Sequence, residues 1–251
     1  MKVAILTPSR GRPSGLMRLI RSSLQTCSGF NQIEHHCYLD WDDPSVPAYQ
    51  EQFSKYPQFS EQVYLQVNEP QSVSKSWNTL ARLALEREAD FVVMGNDDLI
   101  YRTKNWDVRI EEEFSKFSDN LVCMWFEDGI NSASHCAFPI VSADWIRTLG
   151  YFTPGIMNFG YNDTWVFDIA KLIQRTHFIG DVLTEHMHFS QHKSQFDETY
   201  QRNRTMEAGN LYKKDEVIYN NTFFLRQSAA EKLSRAISLA NKSQSSSNVS
   251  S

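Results

Sequence analysis

Short apolar runs alternate with longer amphipathic ones over the first half of the chain. Residues 2–7, 33–39, 62–67, 90–95 and 121–126 are the short runs. Each ends in polar or turn-forming residues and reads as a strand. Between them, Leu16, Leu19, Ile20 and Leu24, and later Trp77, Leu80, Ala81, Ala84 and Leu85, fall at three- and four-residue steps. That spacing places them on one face of a helix. The second helix is expected over 73–89 with Ser72 or Ser74 as its cap, and another over 106–117. Strands that alternate with helices predict an α/β fold with a mostly parallel central sheet flanked by helices, and a ligand crevice at the strands' carboxyl ends.

The second half is less regular. A strand is expected at 137–141, a helix at 143–149, a loop over 150–160 and a helix over 162–174. A strand at 177–183 leads into Glu185-His-Met-His188, and helical residues follow over 215–239. No internal repeat or Pro/Gly-rich linker divides the chain, so one continuous globule is expected. The Ser-rich stretch 241–251 is expected to be a disordered tail.

Composition narrows the class. The 251 residues are 41% hydrophobic and 13% aromatic, enough for a sizeable core. The net charge of -5 argues against a protein whose main task is to wrap nucleic acid, because that task leaves a basic footprint. Cys27, Cys37, Cys123 and Cys136 form no CxxC pair and read as free thiols of a reducing compartment. The amino terminus lacks a long apolar signal segment, and no run approaches the roughly 18 apolar residues that span a bilayer. A cytoplasmic protein with no membrane partner is expected.

Candidate chemistry gathers at the ends of the expected strands. Asn96-Asp97-Asp98 follows strand 90–95 with no Lys or Arg until Arg102. Two carboxylates held at a strand end are costly without a positive partner, and a hard divalent cation is the usual one. A simple strand-to-turn transition is the competing reading. The basic loop Thr7-Pro8-Ser9-Arg10-Gly11-Arg12 follows the first strand, and Asp40, Asp42 and Asp43 follow the second. Asn162 and Asp163 open a helix that also carries Trp165, Phe167 and Asp168. Alternation in an extended segment sends His186 and His188 to one face.

Taken in order, these residues resemble a GT-A glycosyltransferase of the family-2-like inverting kind, over about residues 1–190. The resemblance implies that 1–125 form a nucleotide-sugar-binding half and 126–240 an acceptor-binding half of one domain. It assigns Thr7, Pro8, Ser9 and Arg10 to the loop that meets nucleobase and ribose, with Arg10 and Arg12 able to reach the diphosphate. Asp40, Asp42 or Asp43 then contacts the base, and Lys75 the nucleotide, while Asn78 joins loops. Asn96-Asp97-Asp98 matches the DXD motif with Asn in place of the first Asp. Asp98 would bind Mn2+ or Mg2+, and Asn96 would face the ribose or a bridging water. A late histidine would complete the metal site, with His188 favoured over His186.

On the acceptor side Asp163 matches the catalytic base of the family's Glu-Asp-x-Asp motif, where Asn162 stands for Glu. Asp168 is the next carboxylate in line, and Trp165 and Phe167 suit a sugar-stacking wall. Arg202 and Arg204, in the polar segment 193–204, are candidates to reach phosphate from a lid.

The implied activity is metal-dependent transfer of a sugar from a nucleotide-diphosphate donor, a uridine one expected, to an acceptor hydroxyl with inversion. The acceptor class stays open among a glycan, a small molecule, a protein and a modified DNA base of the kind that phage enzymes use. A nucleotidyltransferase is the enzymatic alternative, disfavoured because the first loop lacks the Gly-rich character of a triphosphate cradle. A non-catalytic nucleotide-sugar-binding module is the other, supported by Asn96 and Asn162.

Overall fold

The computed structural model describes residues 1–206 and 209–247, with side chains through Lys242. Four strands carry the first half: β1 (Lys2–Ser9), β2 (Gln32–Asp40), β3 (Val63–Asn68) and β4 (Phe91–Met94), paired in parallel in the order β3-β2-β1-β4. Alternation along β1 sends Val3 and Ile5 to one face and Ala4 and Leu6 to the other. On the first face they pack with Leu16, Leu19 and Ile20 of α1 (Pro13–Thr26). On the second they meet Trp77, Leu80 and Ala84 of α3 (Val73–Glu86), which follows the short α2 (Val46–Ser54). Burial of both faces explains why these strands read as apolar runs.

Beyond β4 the sheet is mixed. It continues through β7 (Ile140–Ser142), β6 (Cys123–Glu127), β8 (Thr176–His186) and β5 (Leu99–Tyr101). β7 runs antiparallel to both β4 and β6, β8 is parallel to β6, and β5 closes antiparallel on β8. Among the described residues parallel pairings are the majority, four of seven, and every antiparallel one involves β5 or β7. β5 has three residues, too few to show a period in sequence. Its pairing of Leu99 with His186 extends β8 three residues past the expected end at 183.

Helices α4 (Trp106–Phe114), α5 (Ala143–Leu149) and α6 (Asn162–Leu172) flank this half. α7 (Glu198–Arg204), α8 (Leu211–Asn221) and α9 (Phe223–Ser247) follow β8. α9 runs as far as Ser247, through the first seven residues of the stretch 241–251 expected to be a disordered tail. Residues 248–251 lie outside the described residues. No helix among the described residues is long and apolar enough to cross a membrane.

Two glycines bring backbones together where the site forms. A Cβ on Gly15, in the first turn of α1, would lie 2.6 Å from the Asp97 carbonyl oxygen. On Gly95 it would lie 2.9 Å from the Leu6 carbonyl oxygen and 2.8 Å from Ile5 Cγ2. All three distances are too short for a side chain, so β4, β1 and α1 meet at van der Waals closeness beneath the two aspartates.

Candidate active site

A cleft of about 790 Å3 opens at the carboxyl ends of β1, β2 and β4 and is walled by the loops before β7 and α6 and by α7. Asp97 and Asp98 lie on its floor, 4% and 5% exposed. Ser9 Oγ donates to Asp97 Oδ2 at 2.7 Å. Arg12 Nη1 donates to Asp97 Oδ1 at 3.1 Å and sits 3.9 Å from Asp98 Oδ2. The same guanidinium makes a fork to Asp197 through Nε at 2.6 Å and Nη2 at 2.8 Å, and stacks 4.5 Å above the Tyr200 ring. Two carboxylates at this strand end thus have a protein cation beside them. The sequence asks for a positive partner here, with a divalent cation the usual one; Arg12, 85 residues away in sequence, is a protein cation that meets them through the fold.

The two aspartates titrate in opposite directions. Burial holds the Asp97 carboxyl above the usual range, with the Arg12 charge opposing and the Asp98 charge adding. Burial also penalises the Asp98 carboxylate, but His186, Arg12 and the Tyr200 hydroxyl outweigh it and hold Asp98 below that range. Asp98 Oδ2 accepts from Tyr200 Oη at 3.0 Å and faces His186 Nε2 at 3.4 Å. Its Oδ1 and both ring nitrogens of His186 are buried without a hydrogen-bond partner. Buried polar atoms are rarely left this way unless a ligand or ion completes them.

His186 and His188 both line the cleft, as alternation predicts. His186 is the imidazole next to Asp98, because the β5–β8 pairing carries the strand through that residue. His188 packs on His186 with ring centroids 5.0 Å apart and engages the Ser190 hydroxyl through Nδ1 at 2.8 Å. Burial and the charge of His186 push His188 down to about 4. The geometry therefore favours His186 over the expected His188. Among the described residues no three His, Cys, Asp or Glu side chains converge as a complete cation cage. The open oxygen of Asp98 and the open nitrogens of His186 do suit a cation that draws its other ligands from a substrate diphosphate and water, as Mg2+ commonly does.

On the β1–β2 side, Pro8 and Ser9 reach the cleft, but Thr7 does not. Its side chain is wholly buried beside Gly95 with its hydroxyl unpartnered, which corrects its assignment to the nucleotide loop. Arg10 pairs with Asp40 at 3.1 Å and with Asp42, so these three charges satisfy one another at the cleft's edge. Asp40 lines the cleft, and Asp42 is half-exposed outside it. Asp43 is buried and accepts from the Gly11 and Ser45 backbone amides at 2.8 and 2.9 Å, a loop-fixing role. Asn96 lines the cleft beside the aspartates.

In α3, Ser72 is the cap, accepting from the Lys75 backbone amide at 3.3 Å. Ser72, Val73, Ser76 and Trp77 form the cleft wall, whereas the Lys75 side chain is exposed on the other side of the helix, contrary to the nucleotide contact expected of it. Asn78 bonds the Phe152 and Thr153 amides at 2.9 Å and the Thr153 carbonyl at 2.8 Å, the loop-joining role expected.

In the half expected to bind acceptor, Asp163 stands in the first turn of α6, behind Tyr161 in a left-handed backbone conformation (φ 61°). Its Oδ2 lies 3.0 Å from Nε2 of His135, a residue that sequence reasoning did not single out. Asp168 faces away from the cleft, where it meets Tyr219, Lys171 at 2.6 Å and Arg226 at 3.3 Å. Trp165 is 1% exposed in the core, under the Arg226 guanidinium at 4.9 Å, so it is no sugar-stacking wall. Both corrections have one cause: helix spacing gives a face, and α8 and α9 cover the face on which these residues lie.

Tyr161 and Tyr212, whose rings lie 5.1 Å apart, supply the aromatic wall instead. Arg202 and Arg204 line the cleft from α7, and the Arg204 guanidinium rests 4.7 Å over Tyr212. Asp215, fully buried, pins the facing loop by accepting from the backbone amides of Asn158, Phe159 and Gly160 at 2.6 to 2.9 Å. Asp197, Tyr200, His135 and Asp215 were missed because each acts through residues distant in sequence. The one local signal was Asp197 as the cap of α7.

No family model and no curated protein matches the chain. Solved structures do. The mannosyltransferase PcManGT from Pyrobaculum calidifontis, in complex with GDP-Man and Mn2+, superposes with a TM-score of 0.58 at 12% identity, covering 98% of this chain and 79% of that one. GalNAc-T7 with UDP, GalNAc and Mn2+ gives 0.59 at 11% identity over 74% of this chain and 43% of that one. S. aureus TarS 1-349 gives 0.52 at 14% identity over 73% of this chain and 59% of that one. The chain has the GT-A fold. It spans about three fifths of the TarS 1-349 chain. At these identities the likeness carries the fold, and the ligands belong to those proteins.

Proposed function

We propose that this GT-A chain is a divalent-cation-dependent glycosyltransferase that moves a sugar from a nucleotide-diphosphate donor to an acceptor hydroxyl with inversion. The observation that carries the reading is the set of orphaned buried atoms on Asp98 and His186, at the strand ends where open α/β sheets bind ligands and in one cleft with Asp163. Structural neighbours in complex with UDP, UDP-GlcNAc or GDP-Man, two of them with Mn2+, support both donor class and cation.

In this reading Asp98 and His186 would hold Mn2+ or Mg2+, and the ion would supply positive charge for the leaving nucleotide diphosphate. Arg12 stands beside them to meet the diphosphate with its fixed positive charge. Arg204 approaches from α7 with its Nε unpartnered. Asp163 takes the proton of the acceptor hydroxyl as that oxygen bonds to the anomeric carbon and the bond to the diphosphate breaks. Asp40 and the Pro8–Ser9 loop border the part of the cleft assigned to base and ribose. A uridine donor is the first to test. The aromatic wall of Tyr161 and Tyr212 suits an acceptor with a sugar-like or other flat apolar face.

Thermal stabilisation by UDP, GDP and their sugar conjugates, with and without Mn2+, tests the donor class directly, because a ligand of the native state raises the unfolding temperature by mass action. Stabilisation that needs both nucleotide and metal is expected. Stabilisation by none of them, at millimolar ligand, would overturn the proposal.

A further inference from the structure

We propose that His135 is the positioning residue of the general base, holding one oxygen of Asp163 so that the other faces the acceptor, and that its protonation sets the low-pH limit of turnover. This rests on the transferase reading above.

His135 Nε2 and Asp163 Oδ2 are 3.0 Å apart, and both residues line the cleft, each about one-third exposed. A carboxylate only accepts, so the bond fixes the proton on Nε2. Among the described residues the hydrogen bond given for the other oxygen, Oδ1, is from the Thr164 hydroxyl at 3.4 Å. The chain around His135 is anchored from below. Cys136 is fully buried with its thiol 3.9 Å from that of Cys123, and Phe138 packs edge-on against His186 with centroids 4.9 Å apart. The extended backbone at His135 (φ -151°, ψ 137°) therefore turns its ring to the cleft while its neighbour enters the core. Phe167 closes the ring's side at 5.6 Å, edge to face. His135 and Phe138 thus reach from one loop to the proposed base and to the proposed metal ligand.

The groups that act on the imidazole are few. The Asp163 carboxylate raises its pKa above the ordinary histidine value, against burial; Lys171 opposes and Asp128 adds slightly. Asp128 Oδ1 accepts from the backbone amides of Ile130 and Asn131 at 2.8 and 2.6 Å, and its Oδ2 from Asn131 Nδ2 at 2.8 Å. When His135 is neutral, its N–H orients a carboxylate that keeps its full charge. When it is protonated, the ion pair withdraws that charge and weakens the base. In the transfer the acceptor O–H bond breaks, its proton goes to Asp163 Oδ1, and the bonding pair forms the new C–O bond. The pair of the old C–O bond leaves with the diphosphate, and His135 keeps its proton throughout.

The test is the pH profile of kcat in wild type and in His135→Gln, whose amide offers the same donor without titrating. The wild-type acid limb should lie above the usual carboxylate range. In the Gln variant it should move about one pH unit or more to lower pH, with plateau kcat reduced several-fold and donor KM unchanged. His135→Phe, which lacks the donor, should lose about tenfold more in kcat. An acid limb that stays in place in His135→Gln, or a loss confined to donor KM, would overturn the inference. A readout without turnover separates it from the transferase reading. The His135 ring titration followed by NMR in the unliganded protein should fall toward the ordinary histidine value in Asp163→Asn. An unchanged midpoint would overturn the pairing even in an active enzyme. A shifted midpoint in a protein that turns over no sugar nucleotide would leave the pair intact and defeat the function instead.

Discussion

At the scale of residues, the proposed cation site is marked by buried polar atoms on the cleft floor that lack protein partners. Asp98 Oδ1 and the His186 ring are such atoms, so removing either should remove the metal dependence of nucleotide binding while the fold survives. Asp98→Ala removes a carboxylate that Tyr200, His186 and Arg12 stabilise, so a lower melting temperature is expected in a chain that still unfolds cooperatively, with Mn2+-dependent UDP stabilisation gone. His186→Ala should weaken that dependence more than His188→Ala, whose Nδ1 serves Ser190. Equal effects would place the ion elsewhere. Asp163→Asn keeps size and helix-start preference but loses the proton acceptor. Turnover should fall by about a hundredfold or more with donor affinity kept, and isothermal titration beside kinetics separates the two. The places of these carboxylates at a strand end and a helix start were legible in sequence because both are local features. Lys75, Thr7, Trp165 and Asp168 were misassigned because their direction depends on what covers them.

At the scale of elements, α7 is joined to the first loop by long-range contacts. Arg12 forks onto Asp197, the Thr199 hydroxyl donates to the Arg10 carbonyl at 3.0 Å, and Tyr200 reaches Asp98. A bidentate Arg–carboxylate pair fixes orientation as well as charge. Asp197→Ala should therefore loosen α7 and free Arg12 to rest on Asp97 and Asp98 alone. Faster amide exchange over 197–204 and a raised donor KM are the expected outcome, measured by hydrogen-exchange mass spectrometry and initial rates; unchanged exchange would show that α7 is held by its aromatic contacts. The polar composition of 193–204 permitted a lid to be considered, but nothing in it specified the partner. The three-residue β5 is the same case, since its existence depends on β8 rather than on its own sequence.

At the scale of the whole molecule, stability against acid should depend on buried carboxylates far from the cleft. Glu34, fully buried in β2, accepts from Arg87 at 3.2 and 3.3 Å and from His36 at 3.0 Å. Burial alone would raise its pKa, but the Arg87 and His36 bonds outweigh it and hold it below the usual value. A folded pKa below the unfolded one gives stability that is complete above the unfolded value, near 4.3, and is lost as pH falls through the folded one. Glu34→Gln should lower the melting temperature by several degrees at pH 7, and the gap to wild type should narrow as pH falls below the unfolded value, near 4.3. A gap constant with pH would show that packing, not charge, is lost. By itself the sequence determined the alternation of strands and helices, the parallel half of the sheet and the polar residues at its carboxyl ends, because apolar period, caps and turn residues act over a few positions. Only the tertiary structure decided which residues meet. It brought Arg12 to the aspartates, His186 ahead of His188 and His135 to Asp163, and turned Trp165 and Asp168 away, because those choices follow from strand order and from helices that cover one face from far along the chain.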